Sequence, residues 1–586
     1  MVQMADEKSG VLLGNRRETL IQIRNLYYRP LGADEDVLKD ANLEVERGDF
    51  ILLLGPSGSG KSILTRCLNG LIPQLDQGEM RGSVVVAGKD TGSHPVHEFA
   101  TTIGLVFQNP DDQILSLRVV DEVAWGVENQ GLTHEEIVKR VDHFMEMLGI
   151  SHLKQRLTFA ISGGQKQKVS IASNLAMLQD VIVLDDPTTD LDPVCKNEVL
   201  QTLAHLHDEL KITLVVIEHD LDQLIEMANR IVFMDDGHVI YDGAPGIVIS
   251  EHYDELMRLG INMPQHVEIA HTILKTRPRP EKYPIHKEDV FTLLKEFVEG
   301  HPALPAKSTP VAEPCGDPIV VVQDLEFSYR PGTPVLRGLN FSIREGEFVA
   351  IIGANGSGKS TLVNHFTGLL RPDRGQVTID GHDTRSTKIS DLAKDIGYVF
   401  QNPDHQLITN RVFDEVAFGL DMQGVAGQEL ERRVSEALDL VGLGHLRDRH
   451  PFSLSRGQRQ KLAVATALVR HPRLILLDEP TTGQDRRSLS GLLNMLSSLN
   501  QQGNTTIIVT HDMEIVAAYA TRVIVMDDGQ IVIDGHPEDL FYERFDYLEG
   551  LSLRPPTVID FCRRLEEVGM PRFLTIRQIV DYLERR

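Results

Sequence analysis

One octapeptide pattern, G-x-x-x-x-G-K-S, occurs twice in this chain. The copies are Gly55-Pro56-Ser57-Gly58-Ser59-Gly60-Lys61-Ser62 and Gly353-Ala354-Asn355-Gly356-Ser357-Gly358-Lys359-Ser360. Each copy follows an apolar run, Phe50 to Leu54 or Phe348 to Ile352, that reads as a buried strand, and each precedes a segment of helical character. That context turns a glycine-rich turn into a phosphate cradle. The glycines let backbone N–H groups curl around phosphate oxygens, and the start of a helix adds partial positive charge. Lys61 and Lys359 are then expected to reach the outer phosphates, and Ser62 and Ser360 to ligate magnesium.

The duplication extends along the chain. Lys61 and Lys359 are 298 positions apart; Gln108 and Gln401, Ser162 and Ser455, and Asp185 and Asp478 are each 293 apart; His219 and His511 are 292 apart. Two homologous halves follow, the first with five extra residues near Ile72 to Asp76. Between them, His301 to Pro318 carries Pro302, Pro305, Pro310, Pro314 and Pro318. Such a stretch reads as a semi-rigid tether with a reach of roughly 45 Å.

Composition narrows the functional classes. With 59 Lys and Arg against 85 Asp and Glu, the formal charge is −26, so the overall field repels nucleic acid. The four cysteines, Cys67, Cys195, Cys315 and Cys562, have no paired spacing, which points away from zinc or iron–sulfur sites. The first residues lack an apolar signal core, and no run reaches the ~18 apolar residues of a membrane span. Any work at a membrane is therefore expected to go through partners.

Further motifs recur in both halves. Val181 to Asp185 and Leu474 to Asp478 are apolar runs ending in a carboxylate, suited to supporting magnesium at the end of a parallel strand. The next residue is Glu479 in the second half, able to orient or deprotonate an attacking water. In the first half it is Asp186, one methylene shorter. Two more apolar runs lead into His219 and His511, expected to sense the terminal phosphate. Ser162-Gly163-Gly164-Gln165 and Ser455-Arg456-Gly457-Gln458 each precede a helical pattern. Each reads as a second anion site at a helix start or as a serine cap.

In this order, the set resembles the nucleotide-binding domains of ABC transporters. Phe107-Gln108-Asn109-Pro110-Asp111-Asp112-Gln113 and Phe400-Gln401-Asn402-Pro403-Asp404-His405-Gln406, with Asp121 to Gly126 and Asp414 to Gly419, resemble more narrowly the energy-coupling-factor ATPases. The resemblance implies an α/β fold of two tandem P-loop domains, each with a helical subdomain and a small C-terminal helical appendage. The expected division is a tail (1–18), a first ATPase domain (19–250), its appendage (251–302), a Pro-rich linker (303–317), a second ATPase domain (318–542) and its appendage (543–586). ATP and Mg2+ are the implied ligands. The implied partners are a membrane-embedded coupling subunit and a substrate-binding membrane subunit, with the chain peripheral at the cytoplasmic face and driving uptake of a vitamin or metal. A fused pair most resembles ATPases assigned to thiamine or hydroxymethylpyrimidine uptake. The alternative is a soluble tandem ATPase on ribosomes or DNA, which the charge and the short proline-rich linker disfavour.

The resemblance also assigns roles. Gln108 and Gln401 join Ser62, Asp185, Ser360 and Asp478 around magnesium, and Glu479, His511, Asp186 and His219 act on the terminal phosphate. Tyr329 is the aromatic that stacks on adenine in the second half; Tyr28 or its neighbour Tyr27 is its counterpart in the first. Head-to-tail pairing of the halves would set the Lys61 loop against Ser455-Arg456-Gly457-Gln458 and the Lys359 loop against Ser162-Gly163-Gly164-Gln165. The shortened Asp186 and the arginine at 456 then fall on one site, expected to hold ATP while the other hydrolyses it. Asp111, Asp112 and Asp404, following the glutamines, are expected to meet the membrane partner.

Overall fold

A computed structural model describes residues 18–300 and 316–585, apart from 57, 189, 190, 192, 276, 278, 279, 481–485 and 552. The tail up to residue 17, most of the proline-rich linker, Ser57 and Cys315 lie outside the described residues. The chain forms two compact units. One comprises residues up to Thr188 with Asn197–Ile261; the other comprises Thr189–Lys196 with Asn262–Arg586.

The first unit contains β1 (Thr19–Pro30), β2 (Leu38–Glu46), β3 (Phe50–Leu54), β4 (Gly78–Val86), β5 (Lys89–Asp90), β6 (Ile103–Val106), β7 (Val181–Asp185), β8 (Thr213–Ile217), β9 (Arg230–Asp235) and β10 (His238–Gly243). They form an antiparallel sheet of order β2-β1-β4-β5 and a six-stranded sheet of order β10-β9-β3-β8-β7-β6. In the second sheet β3, β6, β7, β8 and β9 run parallel. Their apolar runs are buried almost throughout, as strands covered on both faces must be.

The second unit repeats this plan. Its strands are β11 (Pro318–Phe327), β12 (Leu336–Arg344), β13 (Phe348–Gly353), β14 (Arg374–Ile379), β15 (His382–Asp383), β16 (Ile396–Val399), β17 (Leu474–Asp478), β18 (Thr505–Val509), β19 (Arg522–Asp527) and β20 (Gln530–Gly535). The orders are β12-β11-β14-β15 and β16-β17-β18-β13-β19-β20. In each unit three helices lie between two strands of the parallel sheet: Val119–Glu128, His134–Met147 and Gly163–Ala176 between β6 and β7, and Val412–Asp421, Gly427–Leu440 and Arg456–Leu468 between β16 and β17.

This strand order fixes where the chemistry sits. Parallel strands present their C-terminal ends along one edge. Reading across that edge of the first sheet, β3 delivers the glycine loop, β8 delivers His219, β7 delivers Asp185 and β6 delivers Gln108. The second sheet delivers the Lys359 loop, His511, Asp478 and Gln401 in the same order.

The expected boundary at residue 250 falls inside the helix Pro245–Arg258, which stays with the first unit. The following helices, Gln265–Leu274 and Lys287–Glu299, belong to the second unit. Ile269, Ile273, Val290, Leu294 and Phe297 share one core with Phe541, Leu548, Val558 and Phe561. The Gln265 side-chain oxygen accepts the buried Val558 N–H at 3.0 Å. Arg564 forks onto Glu288 at 3.0 and 2.8 Å and lies over the Phe291 ring. The first appendage was readable as apolar helices, but its packing partner lies some 290 residues further on.

Gln265→Ala strands the Val558 N–H in an apolar core. The expected cost is about 1–3 kcal/mol, seen in hydrogen exchange as lost protection at the Val558 amide with the β3 and β13 amides unaffected. Undiminished protection at Val558 would show that this bond contributes nothing.

Candidate functional site

The phosphate loops are shaped by contacts that exclude any side chain. At Gly55 the backbone turns to φ +148, and a Cβ there would lie 2.1 Å from the Met234 carbonyl oxygen of β9. Gly353, at φ +152, has the same relation to the Met526 carbonyl oxygen of β19. Only glycine fits where the loop leaves its strand. The loops end at Gly60 and Gly358, both left-handed, which open the helices Lys61–Leu68 and Lys359–Phe366. Gly58 and Gly356 take positive φ between these points, and Asn355 is exposed on the second loop. The Lys61 amine donates to the carbonyl oxygens of Gly55 and Pro56 at 2.8 and 3.0 Å; Lys359 does so to Gly353 and Ala354 at 2.9 and 3.0 Å. Each lysine is thus held across the concave side of its own loop. Burial pulls the Lys61 amine below its ordinary value, opposed by Asp186 and Asp185.

Beside each loop stands a hard-oxygen pair suited to magnesium. The Ser360 hydroxyl lies 3.4 Å from the Asp478 carboxylate, and Ser62 bonds Asp185 in the same way. Burial raises both aspartates, while the serines, lysines and, at Asp478, the Tyr398 hydroxyl work the other way; neighbouring Glu479 adds to the rise at Asp478. A cation at these oxygens would favour the carboxylate form and oppose the rise. The residues present therefore fit Mg2+, with Ser62 and Asp185, or Ser360 and Asp478, as holders. Gln108 and Gln401 are exposed in the bend two residues past the ends of β6 and β16.

The next carboxylates differ between the halves. Asp186 and Glu479 both take left-handed backbone, φ +48 and +47, a strained choice for such residues. Each N–H crosses to the neighbouring strand, donating to Ile217 O or Val509 O at 2.9 Å. This turn aims both side chains at the histidine. The His511 Nδ1 lies 2.8 Å from Glu479 Oε2, whereas the His219 Nε2 lies 3.6 Å from Asp186 Oδ2. The missing methylene is visible as a longer carboxylate–imidazole distance. Burial alone would depress the His511 imidazole, but the hydrogen bond and charge of Glu479, with Asp512, hold it above its ordinary value.

The glutamine segments fold as their sequence demands. Asn109 and Asn402 cap a single turn of tight helix, accepting from the Asp111 and Asp404 N–H groups at 3.1 and 3.0 Å. Gln113 and Gln406 close the loop by accepting the N–H of Phe107 and Phe400 at 3.1 and 3.4 Å. Glu122 and Glu415 pin the next stretch, each accepting two successive backbone N–H groups at 2.7–3.0 Å. Asp111 and Asp404 also reach back to the helix after the serine turn, pairing with Lys166 at 2.5 Å and Arg459 at 2.6 Å. Ser162 and Ser455 cap those helices in reciprocal boxes with Gln165 and Gln458, so the serine-cap reading holds. Gly164 and Gly457 follow in the first turn.

A model of the ABC transporter family matches residues 38–189 and 336–482, spanning both phosphate loops and both carboxylate strands. The chain belongs to the ABC transporter ATPase family. Domains of this family hydrolyse ATP coupled to transport. A Methanosarcina acetivorans protein provisionally named an ABC transporter ATP-binding protein is 40% identical over 586 residues, covering 97% of this chain and 94% of its own. A Bacillus subtilis protein provisionally named HMP/thiamine import ATP-binding protein YkoD is 35% identical over 553 residues, covering 94% and 98%. Among solved structures, cbiO1 of Clostridium perfringens, part of a cbiONQ transporter complex, is 37% identical over 43% of this chain and 99% of its own, with a TM-score of 0.38.

In this ABC ATPase the aromatics expected beside adenine are not symmetric. Tyr329 is exposed, with its hydroxyl 3.3 Å from Thr361 Oγ1 and its ring edge-on to Phe327. Tyr28 is 2% exposed and lies in the core, so its assignment as the counterpart is corrected. Val37 N–H bonds the Tyr28 carbonyl just as Val335 N–H bonds that of Phe327. Tyr28 therefore matches Phe327, and Pro30 stands where Tyr329 would be. Strand alternation turns Tyr27 outward instead, where the Arg81 guanidinium covers its ring at 4.9 Å.

Sequence reading also passed over Lys166, Arg459, Tyr398 and Glu218. For Glu218 the signal was present: Ile-Glu-His-Asp in the first half stands against Val-Thr-His-Asp in the second.

The His511–Glu479 pair yields a pH prediction. With the imidazole raised, the ion pair is complete below the ordinary histidine value and is lost as pH rises through the raised one. Glu479→Gln should move the His511 midpoint downward in a proton NMR titration of labelled histidines, because burial is then opposed mainly by Asp512. An unmoved midpoint would sever the two groups.

Proposed function

We propose that this ATPase powers an importer of the energy-coupling-factor type, taking up an organic micronutrient or a transition metal through separate membrane subunits. The observation that carries the reading is an exposed apolar patch framed by the glutamine segment. Leu115 and Leu117 are 77% and 70% exposed, beside Phe159 at 69%, where Thr158 N–H bonds the Leu117 carbonyl. Trp125, one turn beyond Glu122, is 56% exposed. Ile408, Phe452 and Phe418 repeat the pattern at 65%, 52% and 45%. Exposed patches of this kind mark docking surfaces. Among the described residues no helix is long and apolar enough to cross a membrane, which fits docking on membrane-embedded partners. The name of the Bacillus subtilis relative supports a hydroxymethylpyrimidine or thiamine cargo. With Asp111 and Asp404 engaged by Lys166 and Arg459, the apolar groups replace the acidic trio with Asp112 as the main docking determinant.

In the same reading the halves pair head to tail. The Lys359 loop, with Ser162 to Gln165 opposite, is the hydrolytic site. There Glu479 orients the attacking water and His511 holds the terminal phosphate through its imidazole. Ser360, Asp478 and Gln401 hold Mg2+, which neutralises phosphate charge when bound. At the Lys61 site Asp186 stands 3.6 Å from its histidine, against 2.8 Å for Glu479, and Arg456 faces the nucleotide. Arg456 opens a helix, where a cation opposes the helix dipole, and a Cβ at the matching Gly163 meets nothing within 4 Å. In this reading its positive charge acts on an anion, retaining ATP at the Lys61 site.

Two experiments test this. Glu479→Gln should reduce ATP turnover of the assembled complex by about 10²-fold or more with ATP binding preserved, while Asp186→Asn loses far less; equal losses would sink the division of labour. Purification of the tagged chain in detergent should recover membrane-embedded subunits, and Leu115→Asp with Phe159→Asp should release them without impairing ATP binding. Recovery with ribosomes or DNA in their place would favour the soluble alternative.

A further inference from the structure

Glu218 is a buried carboxylate where the second half has Thr510; it is 6% exposed and Thr510 is fully buried. Its Oε1 accepts the Thr188 N–H at 3.0 Å and also bonds the Thr188 hydroxyl. Its Oε2 accepts the His219 N–H at 2.9 Å and the Asp220 N–H at 3.4 Å. A carboxylate offers about four lone-pair directions, and here all four are used. The donors come from two strand ends. Thr188 lies three residues past the end of β7 and two past Asp186, while His219 and Asp220 open the loop after β8. The Asp186 N–H already bonds the last carbonyl of β8, so Asp186, Thr188, Glu218 and His219 form one tied piece. In the second half the Thr510 hydroxyl accepts the Asp512 N–H at 3.0 Å, a bond within its own loop.

We infer that Glu218 is a positioning residue, a clamp that ties the His219 loop to the chain leaving Asp186 and thereby slows nucleotide release at the Lys61 site. The inference rests on the reading above that the Lys61 loop holds ATP. Release requires the loops around the phosphates to part. Hydrogen bonds to an ionised group are roughly twice as strong as neutral ones, and stronger where water is excluded. A threonine hydroxyl is too short to bridge the two strand ends. A glutamine keeps the shape but must turn its NH2 group toward N–H donors on one side, so it breaks half of the clamp.

The test uses the full chain with Lys359→Ala, so that labelled ATP reports the Lys61 site, with Lys61→Ala added as the background control. Glu218→Thr and Glu218→Gln are each expected to speed release of labelled ATP about tenfold. Thr188→Val, which removes only the hydroxyl donor, should give a smaller effect of the same sign. The Glu218→Thr/Thr188→Val pair should release no faster than Glu218→Thr alone, because both act through one contact. A role confined to fold stability would lower the melting temperature and leave the two effects additive. Should Glu218→Thr fail to fold, Glu218→Gln and Thr188→Val carry the same comparison. Release at the unmodified rate, or plain additivity, overturns the clamp. Absence of ATP above background in the Lys359→Ala chain overturns the nucleotide reading of the Lys61 site, and the clamp with it.

Discussion

Everything chemical in this molecule hangs on a close backbone approach at the end of its central strands. Gly55 and Gly353 pass so near the Met234 and Met526 carbonyl oxygens that no Cβ fits. That contact sets the angle at which each loop leaves β3 or β13, and with it the start of the following helix and the reach of its lysine. The flanking parallel strands then have little freedom. β8 and β7 lie next in order, so whatever residues end them must face the loop. Histidine and carboxylate stand beside the phosphate loop because of where the sheet order puts them.

That dependence explains why so much of the site was legible in the sequence. Phosphate loops, terminal carboxylates and histidines occupy strand ends, and strand ends show as apolar runs that stop. The α/β plan and the duplication followed from the same runs. Legibility failed where position depended on counting across a bulge or on a distant partner. Tyr28 and Tyr27 are adjacent, and a shift in register between Ile23 and Tyr28 decides which one faces the core. The Asp111–Lys166 and Asp404–Arg459 pairs join residues 55 positions apart. Neither partner alone carries a signal, since a charged residue beside a turn or on a helix is ordinarily solvated.

The halves keep one architecture while differing in small polar groups. Asp186 stands for Glu479, Arg456 for Gly163, Glu218 for Thr510, and Leu105 for Tyr398, whose burial beside Asp478 raises its hydroxyl well above the ordinary range. Each exchange sits at the C-terminal edge of the parallel sheet or at a helix start, where it can change how a site treats its nucleotide. Three of the four gather around the Lys61 side or its expected partner turn; Tyr398 strengthens the Lys359 side. Divergence after duplication has acted on chemistry, where a methylene or a hydroxyl suffices.

The packing of Gln265–Leu274 and Lys287–Glu299 into the second unit bears on how the chain is made. Synthesis proceeds from the N-terminus at about 5–20 residues per second. These two helices therefore leave the ribosome well before Thr557–Arg564 and Ile576–Glu584, the segments that cover them. For that interval their apolar faces, Ile269, Ile273, Leu294 and Phe297 among them, have no native cover. That core closes only once those later segments have been made, and a chain cut between the halves would carry an uncovered apolar face on each piece.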